Sequence, residues 1–250
     1  MAAGTVNELT ATAPPDRRTL RGEVFIVLML SLLASSTYAV LTLFEQPIAG
    51  VVVRVGNQSP IFARQVAGFV FGLAPVFLVV HLIRRSGEGT ASIGLTWDRP
   101  REDLLRGLAL FALVGAAGIG IYFGSVKLGV NRFVIPVPPQ GHWWSHVALV
   151  MNAVEAALLE EVIAAYVITR FRQLAWTAVA AVGGAALLRG AYHLYQGWGA
   201  FAGNLAMGAL FGLIYLRTRR AWPLVVAHLL LDVGAGVGYL LYRGKLAGLV

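Results

Sequence analysis

Two adjacent carboxylates, Glu160 and Glu161, lie inside an apolar stretch running from Val147 to Thr169. That length reads as a membrane-spanning helix, and Glu155 falls within it as well. An acidic side chain at a helix centre costs about 2.5–3.5 kcal/mol to insert, so carboxylates persist there where they face a bundle interior and have partners or a task. Three other places supply candidates for those partners: Arg189 and His193, four residues apart; Asn204; and His228 and Asp232, again four apart. This spacing puts each pair on one helix face, able to project into a common chamber. The chemistry such a set can run is water activation. A carboxylate and an imidazole take the proton of one water, or together bind a metal that lowers its pKa, while a second imidazole and a carboxyl or amide steady the oxyanion.

Each residue alone also has a plainer role. A lone intramembrane histidine is often a helix–helix hydrogen bond, and Asn204, between Gly203 and Gly208, reads as packing glue. His228 and Asp232 could share an intrahelical bond that fixes a tautomer. Glu155 lies about 140° round the helix from Glu160, at 100° per residue, which places it outside the centre. The aromatic run Tyr192, Tyr195 and Trp198 reads as interfacial anchoring. What carries the functional reading is the conjunction of two His, two Glu, an Asp and an Arg in neighbouring spans.

The elements that must position these groups are helices. Of 250 residues, 58% are hydrophobic and 13% charged, with a mean hydropathy of +0.72, which excludes an ordinary soluble domain and indicates an all-α polytopic membrane bundle. A cytoplasmic tail over residues 1–22, expected to be disordered, precedes a single transmembrane domain over 23–250. About seven spans are expected: Val24 to Phe44; Val66 to Ile83, kinked at Pro75; Leu104 to Leu128, with Gly107, Gly115, Gly118 and Gly120 for close helix contact; and four beginning near Val147, Thr177, Gly199 and Ala221. Clusters such as Arg17-Arg18, Arg84-Arg85, Arg170 and Arg219-Arg220 then fall on one side, which predicts N-in, C-out topology. The formal charge of +8 is spent on these clusters, with no basic stripe or recognition motif for nucleic acid. The absence of cysteine removes disulfides and thiolate chemistry. One mismatch stands out. At 1.5 Å per residue Glu160 lies about 18 Å from Arg172 and His193 about 25 Å from Trp176, so the two meet only with tilt or a late start to the fifth helix.

These residues resemble the CPBP intramembrane proteases, the CAAX proteases and bacteriocin-processing enzymes also called the Abi family, related to the eukaryotic Ras-converting protease. That family carries the motifs Glu-Glu-x-x-x-Arg, Phe-x-x-x-His and His-x-x-x-Asn or Asp on three separate helices. Over roughly residues 146–242, Glu160-Glu161 matches the start of the first, His193 the end of the second, and His228 with Asp232 the third. The resemblance implies an intramembrane endopeptidase that cuts a membrane-associated peptide or protein within the lipid bilayer, in the plasma membrane of a bacterium-like cell. By carry-over, Glu160 and His193 would activate the water, and His228 with Asp232 would stabilise the oxyanion or complete a metal site, with Glu161 in support. A zinc ion held by Glu160, His193 and His228 and a metal-free glutamate mechanism both stay open.

Two positions depart from the motifs. Ala165 stands where the first expects arginine, and Arg189 where the second expects phenylalanine. The changes would compensate each other if Arg189 reached across to pair Glu161 or Glu160. The same ion pair could instead hold the base inert, which gives the alternative of a catalytically silent membrane scaffold or binding protein. A small transporter would use similar charges, but the chain shows no inverted repeat or pair of broken helices. An open cleft wide enough for a peptide would favour hydrolysis, and a closed, salt-bridged centre the scaffold.

Overall fold

The computed structural model describes residues 16–246. Most of the expected tail, residues 1–15, therefore lies outside the described residues. The Asp16 carboxylate accepts the backbone N–H groups of Arg18 and Thr19 at 2.7 and 2.9 Å, capping helix α1 (Arg17–Met29). Residues 17–22 are thus helical and belong to the bundle. Helix α2 (Leu32–Glu45) follows at a bend of 47°, where the buried Ser31 hydroxyl donates to the carbonyl of Val27.

The second expected span is also two pieces, α3 (Phe62–Gly72) and α4 (Ala74–Arg85), which meet at Leu73. Pro75 sits in the first turn of α4, where its missing N–H leaves the ladder interrupted where a kink was expected. Helices α5 (Pro100–Lys127), α6 (Ser145–Gln173), α7 (Ala178–Tyr192), α8 (Trp198–Thr218) and α9 (Trp222–Leu246) complete the bundle. Between α7 and α8 there is only a 3₁₀ turn, Leu194–Gln196. Two short strands, β1 (Val52–Arg54) and β2 (Phe133–Ile135), pair in parallel with Val52 opposite Phe133. Both lie outside the expected spans.

Four helical stretches are long and apolar enough to cross a membrane: Phe62–Arg85, which joins α3 and α4, then α5, α8 and α9; the bent α1–α2 pair would make a fifth. The expected seven also counted α6 and α7. Helix α6 has 29 residues, about 44 Å at 1.5 Å per residue, and is long enough but carries its glutamates. Helix α7 has 15 residues, about 22 Å, which falls short of a hydrocarbon core of about 30 Å. The fifth helix starts at Ala178, close to the expected Thr177, and ends at Tyr192. Measured from Ala178, His193 lies about 22 Å along, against about 20 Å from Gln173 to Glu160, so most of the mismatch disappears.

Helix α6 is the central post. Val162, Ile163 and Tyr166 pack on Val24, Val27, Val79 and Ile83 from α1 and α4. Ala165 and Ile168 pack on the other side against Ala181 and Val182 of α7, Phe211 and Tyr215 of α8, and Leu224 of α9. One end of the bundle is knitted by ions: Arg170 to Glu88 at 2.6 Å, Arg85 to Glu23 at 3.2 Å, and Arg220 to both Asp103 and Asp98. The seam between α5 and α9 depends on small residues, because a Cβ on Gly107 would meet Val226 Cγ1 at 2.5 Å, whereas one on Gly118 would meet nothing within 4 Å. Gly107→Ala should therefore cost about 1–3 kcal/mol through overpacking. Gly118→Ala should be neutral or slightly stabilising, since it only restricts the unfolded chain. Thermal unfolding of the two variants in detergent checks this, and equal melting temperatures would contradict the seam.

Candidate active site

Glu160 and Glu161 point about 100° apart from α6, toward different neighbours. Glu161 is 1% exposed at its side chain and Glu160 13%. Arg189, from the last turn of α7, stands between them. Its Nη1 lies 2.6 Å from Glu161 Oε1 and its Nη2 lies 3.3 Å from Glu160 Oε2, while its guanidinium sits over the Phe211 ring at 5.6 Å from the centroid. The pairing anticipated across the two helices is present.

His228, buried on α9, places Nδ1 at 2.8 Å from Glu161 Oε1. Arg189 Nη2, which can only donate, also stands 3.2 Å from this Nδ1, but the carboxylate is closer and only accepts, so the proton belongs on Nδ1 and Nε2 faces Glu160 Oε2 at 3.8 Å and Asp232 Oδ2 at 3.6 Å. Glu161, and not Asp232, fixes the tautomer. Asp232 is 41% exposed and marks the mouth of the cluster. His193 caps the C-terminus of α7, with Nδ1 at 3.1 Å from the Arg189 carbonyl. Because a carbonyl also only accepts, the Nδ1–H donates there and the lone pair of Nε2 is left free. The Tyr192 hydroxyl donates to Glu160 Oε2.

This combination of paired glutamates, a capping histidine and a histidine–aspartate face lies within one continuous segment that can be compared with known families. Residues 142–234 match the type II CAAX prenyl endopeptidase Rce1-like family. The motif resemblance therefore holds over the segment that carries Glu160, Glu161, His193, His228 and Asp232. No curated protein and no solved structure gives a significant match. Together with the apolar helices, the Rce1-like match makes this an integral membrane protein of a protease-related kind.

Within the Rce1-like region, Glu160, Glu161, Arg189, His228 and Asp232 form one cluster, with His193 at its edge. Asn204 does not join it: its Nδ2 donates to Ala200 O, one turn back in its own helix. Glu155 faces α3, with its carboxylate against Gly72, away from the centre. Tyr192 corrects the sequence reading. It is buried at 7% exposure and bonded to Glu160, so it is not an interfacial anchor. Its position three residues after Arg189 and beside His193 was the available signal, and the neighbouring Tyr195 and Trp198 obscured it.

A cavity of about 20 Å³ opens beside Glu161 and Arg189, walled by Ala164, Ala165, Gly208 and Phe211. It has the size of one water molecule. Glu161 Oε2 and Arg189 Nε are buried here without a hydrogen bond to the protein. The set does not fit a metal. Among the described residues no three His, Asp or Glu side chains are arranged to hold one, and the Arg189 guanidinium already occupies the space between the two glutamates. Removing that guanidinium leaves two buried carboxylates short of a partner. Arg189→Met should destabilise the fold by about 3–5 kcal/mol, and adding Glu161→Gln should recover part of the loss. Chemical denaturation in detergent measures both, and additive losses would show that the pair is not coupled.

Proposed function

We propose that the protein is an intramembrane endopeptidase that hydrolyses a peptide bond of a membrane-associated peptide or protein with a water activated by Glu160 and His193. The observation that carries this reading is unused bonding capacity. Glu160 Oε2 is held by Tyr192 and Arg189, but among the described residues nothing hydrogen-bonds its Oε1. His193 likewise keeps Nε2 free because Nδ1 is committed to a carbonyl. The Rce1-like match supports protease chemistry at the level of the family.

In the reaction, Glu160 Oε1 takes a proton from water as the oxygen attacks the scissile carbonyl carbon, with His193 Nε2 aligning that water. His228 takes a second proton at Nε2, beside the Glu160 and Asp232 carboxylates, and donates that Nε2–H to the oxyanion as it forms. Glu160 then returns the proton to the amide nitrogen as the C–N bond breaks, so one water becomes a carboxylic acid and an amine. Glu161 and Arg189 touch no reacting atom. They hold Glu160 and His228 in place and keep the charge balanced. We assign the arginine-rich end of the bundle to the cytoplasm, which gives N-in, C-out. Nothing in the site selects a prenyl group, so the substrate class stops at membrane-associated peptides.

The second reading, a silent scaffold, rests on the salt-bridged centre and a cavity no larger than a water. Cleavage of a quenched fluorescent peptide library by protein in lipid separates the two. Glu160→Gln and His193→Ala should each lower the rate about 10²–10⁴-fold while the fold stays intact, and a chelator should have no effect. Arg189→Ala should be as damaging as Glu160→Gln. A gain of activity in Arg189→Ala would mean that the ion pair restrains the base, and no cleavage by folded wild type would favour the scaffold.

A further inference from the structure

The end of α7 where His193 sits is not supported by α7 alone. The chain leaves the helix at His193, makes the single 3₁₀ turn Leu194–Gln196 and enters α8 at Trp198. A non-helical turn inside a bundle exposes carbonyls that lipid cannot satisfy, so something in the protein has to take them. Arg132, from the connection between α5 and α6, does so. It is fully buried, at 0% exposure, and has no carboxylate partner among the described residues. Its Nη1 donates to Tyr195 O at 2.6 Å and its backbone N–H to Gln196 O at 2.7 Å. Nη2 donates to Gln46 O at 2.7 Å and Thr42 O at 3.2 Å, and Nε to Pro47 O at 3.1 Å, all at the C-terminal end of α2.

One planar fork thus ties the turn after His193 to the end of α2, where the last carbonyls of a helix favour a cation. The adjacent Asn131 closes the other side, its Oδ1 accepting the N–H of Ala200 at 2.8 Å and its backbone bridging Gly197. Gly197 has φ +120°, and a Cβ there would meet Val130 O at 2.6 Å, so the turn is pressed directly onto this connection. The His193 carbonyl is itself held by the Gln196 N–H at 2.9 Å. A shift of the turn must therefore move the His193 ring.

We propose that Arg132 is a positioning residue for His193, acting through the turn Leu194–Gln196 to fix the depth and aim of the imidazole at the mouth of the site. The inference rests on the hydrolase reading for its kinetic consequence, but the geometry of the ring can be read without it. Lysine cannot replace the fork, since one ammonium cannot reach carbonyls on both sides of the connection in a plane.

Two readouts test this on the full chain in lipid or detergent. The first is the ¹⁵N resonance pair of the His193 ring. Wild type should show the Nδ1–H form locked, whereas Arg132→Lys and Arg132→Gln should show averaging between tautomers. The second is cleavage, where both variants should lose about 10- to 100-fold in kcat with KM changed less than twofold, as expected for a misaimed group. Guanidinium ion should restore part of kcat to Arg132→Ala. Tyr122→Phe is the control, because it frees the Val134 N–H in the same connection, 2.9 Å from the Tyr122 hydroxyl, without touching the turn. An unchanged His193 signal in folded Arg132 variants would overturn the proposal, as would an equal change in Tyr122→Phe. If wild type cleaves nothing, the hydrolase reading fails and the nitrogen spectra alone decide the role of Arg132.

Discussion

The guanidinium of Arg189 is what allows two consecutive carboxylates to be buried in this bundle. Each glutamate alone carries an insertion cost of about 2.5–3.5 kcal/mol, and two side by side would also repel. Arg189 meets both at once, and His228 adds a second donor to Glu161. Four elements are tied together through this one point: α6 by the glutamates, α7 by Arg189, α9 by His228, and α8 by Phe211, whose ring face receives the cation. Removing one partner strands the others in a low dielectric, so the cluster acts as a unit.

That unit also explains why α7 is short. A longer α7 would carry the chain past the cluster as continuous helix, and His193 would no longer cap its end. Ending at Tyr192 puts the helix C-cap, with His193 in it, and a turn of backbone beside the cluster. Irregular backbone there is tolerated only where protein groups satisfy it. The connection between α5 and α6 supplies them, and its β2 strand is in turn held by β1. The small parallel ladder is the brace of an interrupted helix.

Much of this was legible in the sequence, and the parts that were not have physical reasons. The apolar runs and the four-residue spacing of Arg189 with His193 and His228 with Asp232 placed the polar groups on shared faces, because helical periodicity is local. The exchange of Ala165 and Arg189 pointed to a cross-helix pair, because a buried arginine has few other options. Helix ends were harder. Hydropathy does not fix where a helix ends, so α7 was read as a full-length span although it has 15 residues. Arg132 carries no comparable signal. Its four carbonyl partners come from residues about 60 to 90 positions away, and backbone acceptors leave no mark on side-chain pattern.

The choice between hydrolase and scaffold turns on what neutralisation alone requires. Glu161 with Arg189 and His228 already forms a charge-balanced set, although Glu161 Oε2 and Arg189 Nε lack protein partners, and a silent bundle would need no more charged groups. Glu160 is a second carboxylate with one oxygen uncommitted, His193 keeps a free ring nitrogen, and Asp232 stands half-exposed beside His228 Nε2. None of these improves the pairing of Glu161, and each adds desolvation cost. They are drawn from three helices, and Glu160 and Asp232 converge directly on His228 Nε2. Unpaired capacity directed to one place is costly for a scaffold and necessary for a site that must hold a water, a carbonyl and a developing charge. The cavity of one-water size is lined by both glutamates, Arg189 and Tyr192, and is closed by Ala164, Ala165 and Phe211. A buried anchoring pair behind a partly exposed mouth holds the reactive groups in place while leaving Asp232 and the Nε2 edge of His228 toward that mouth.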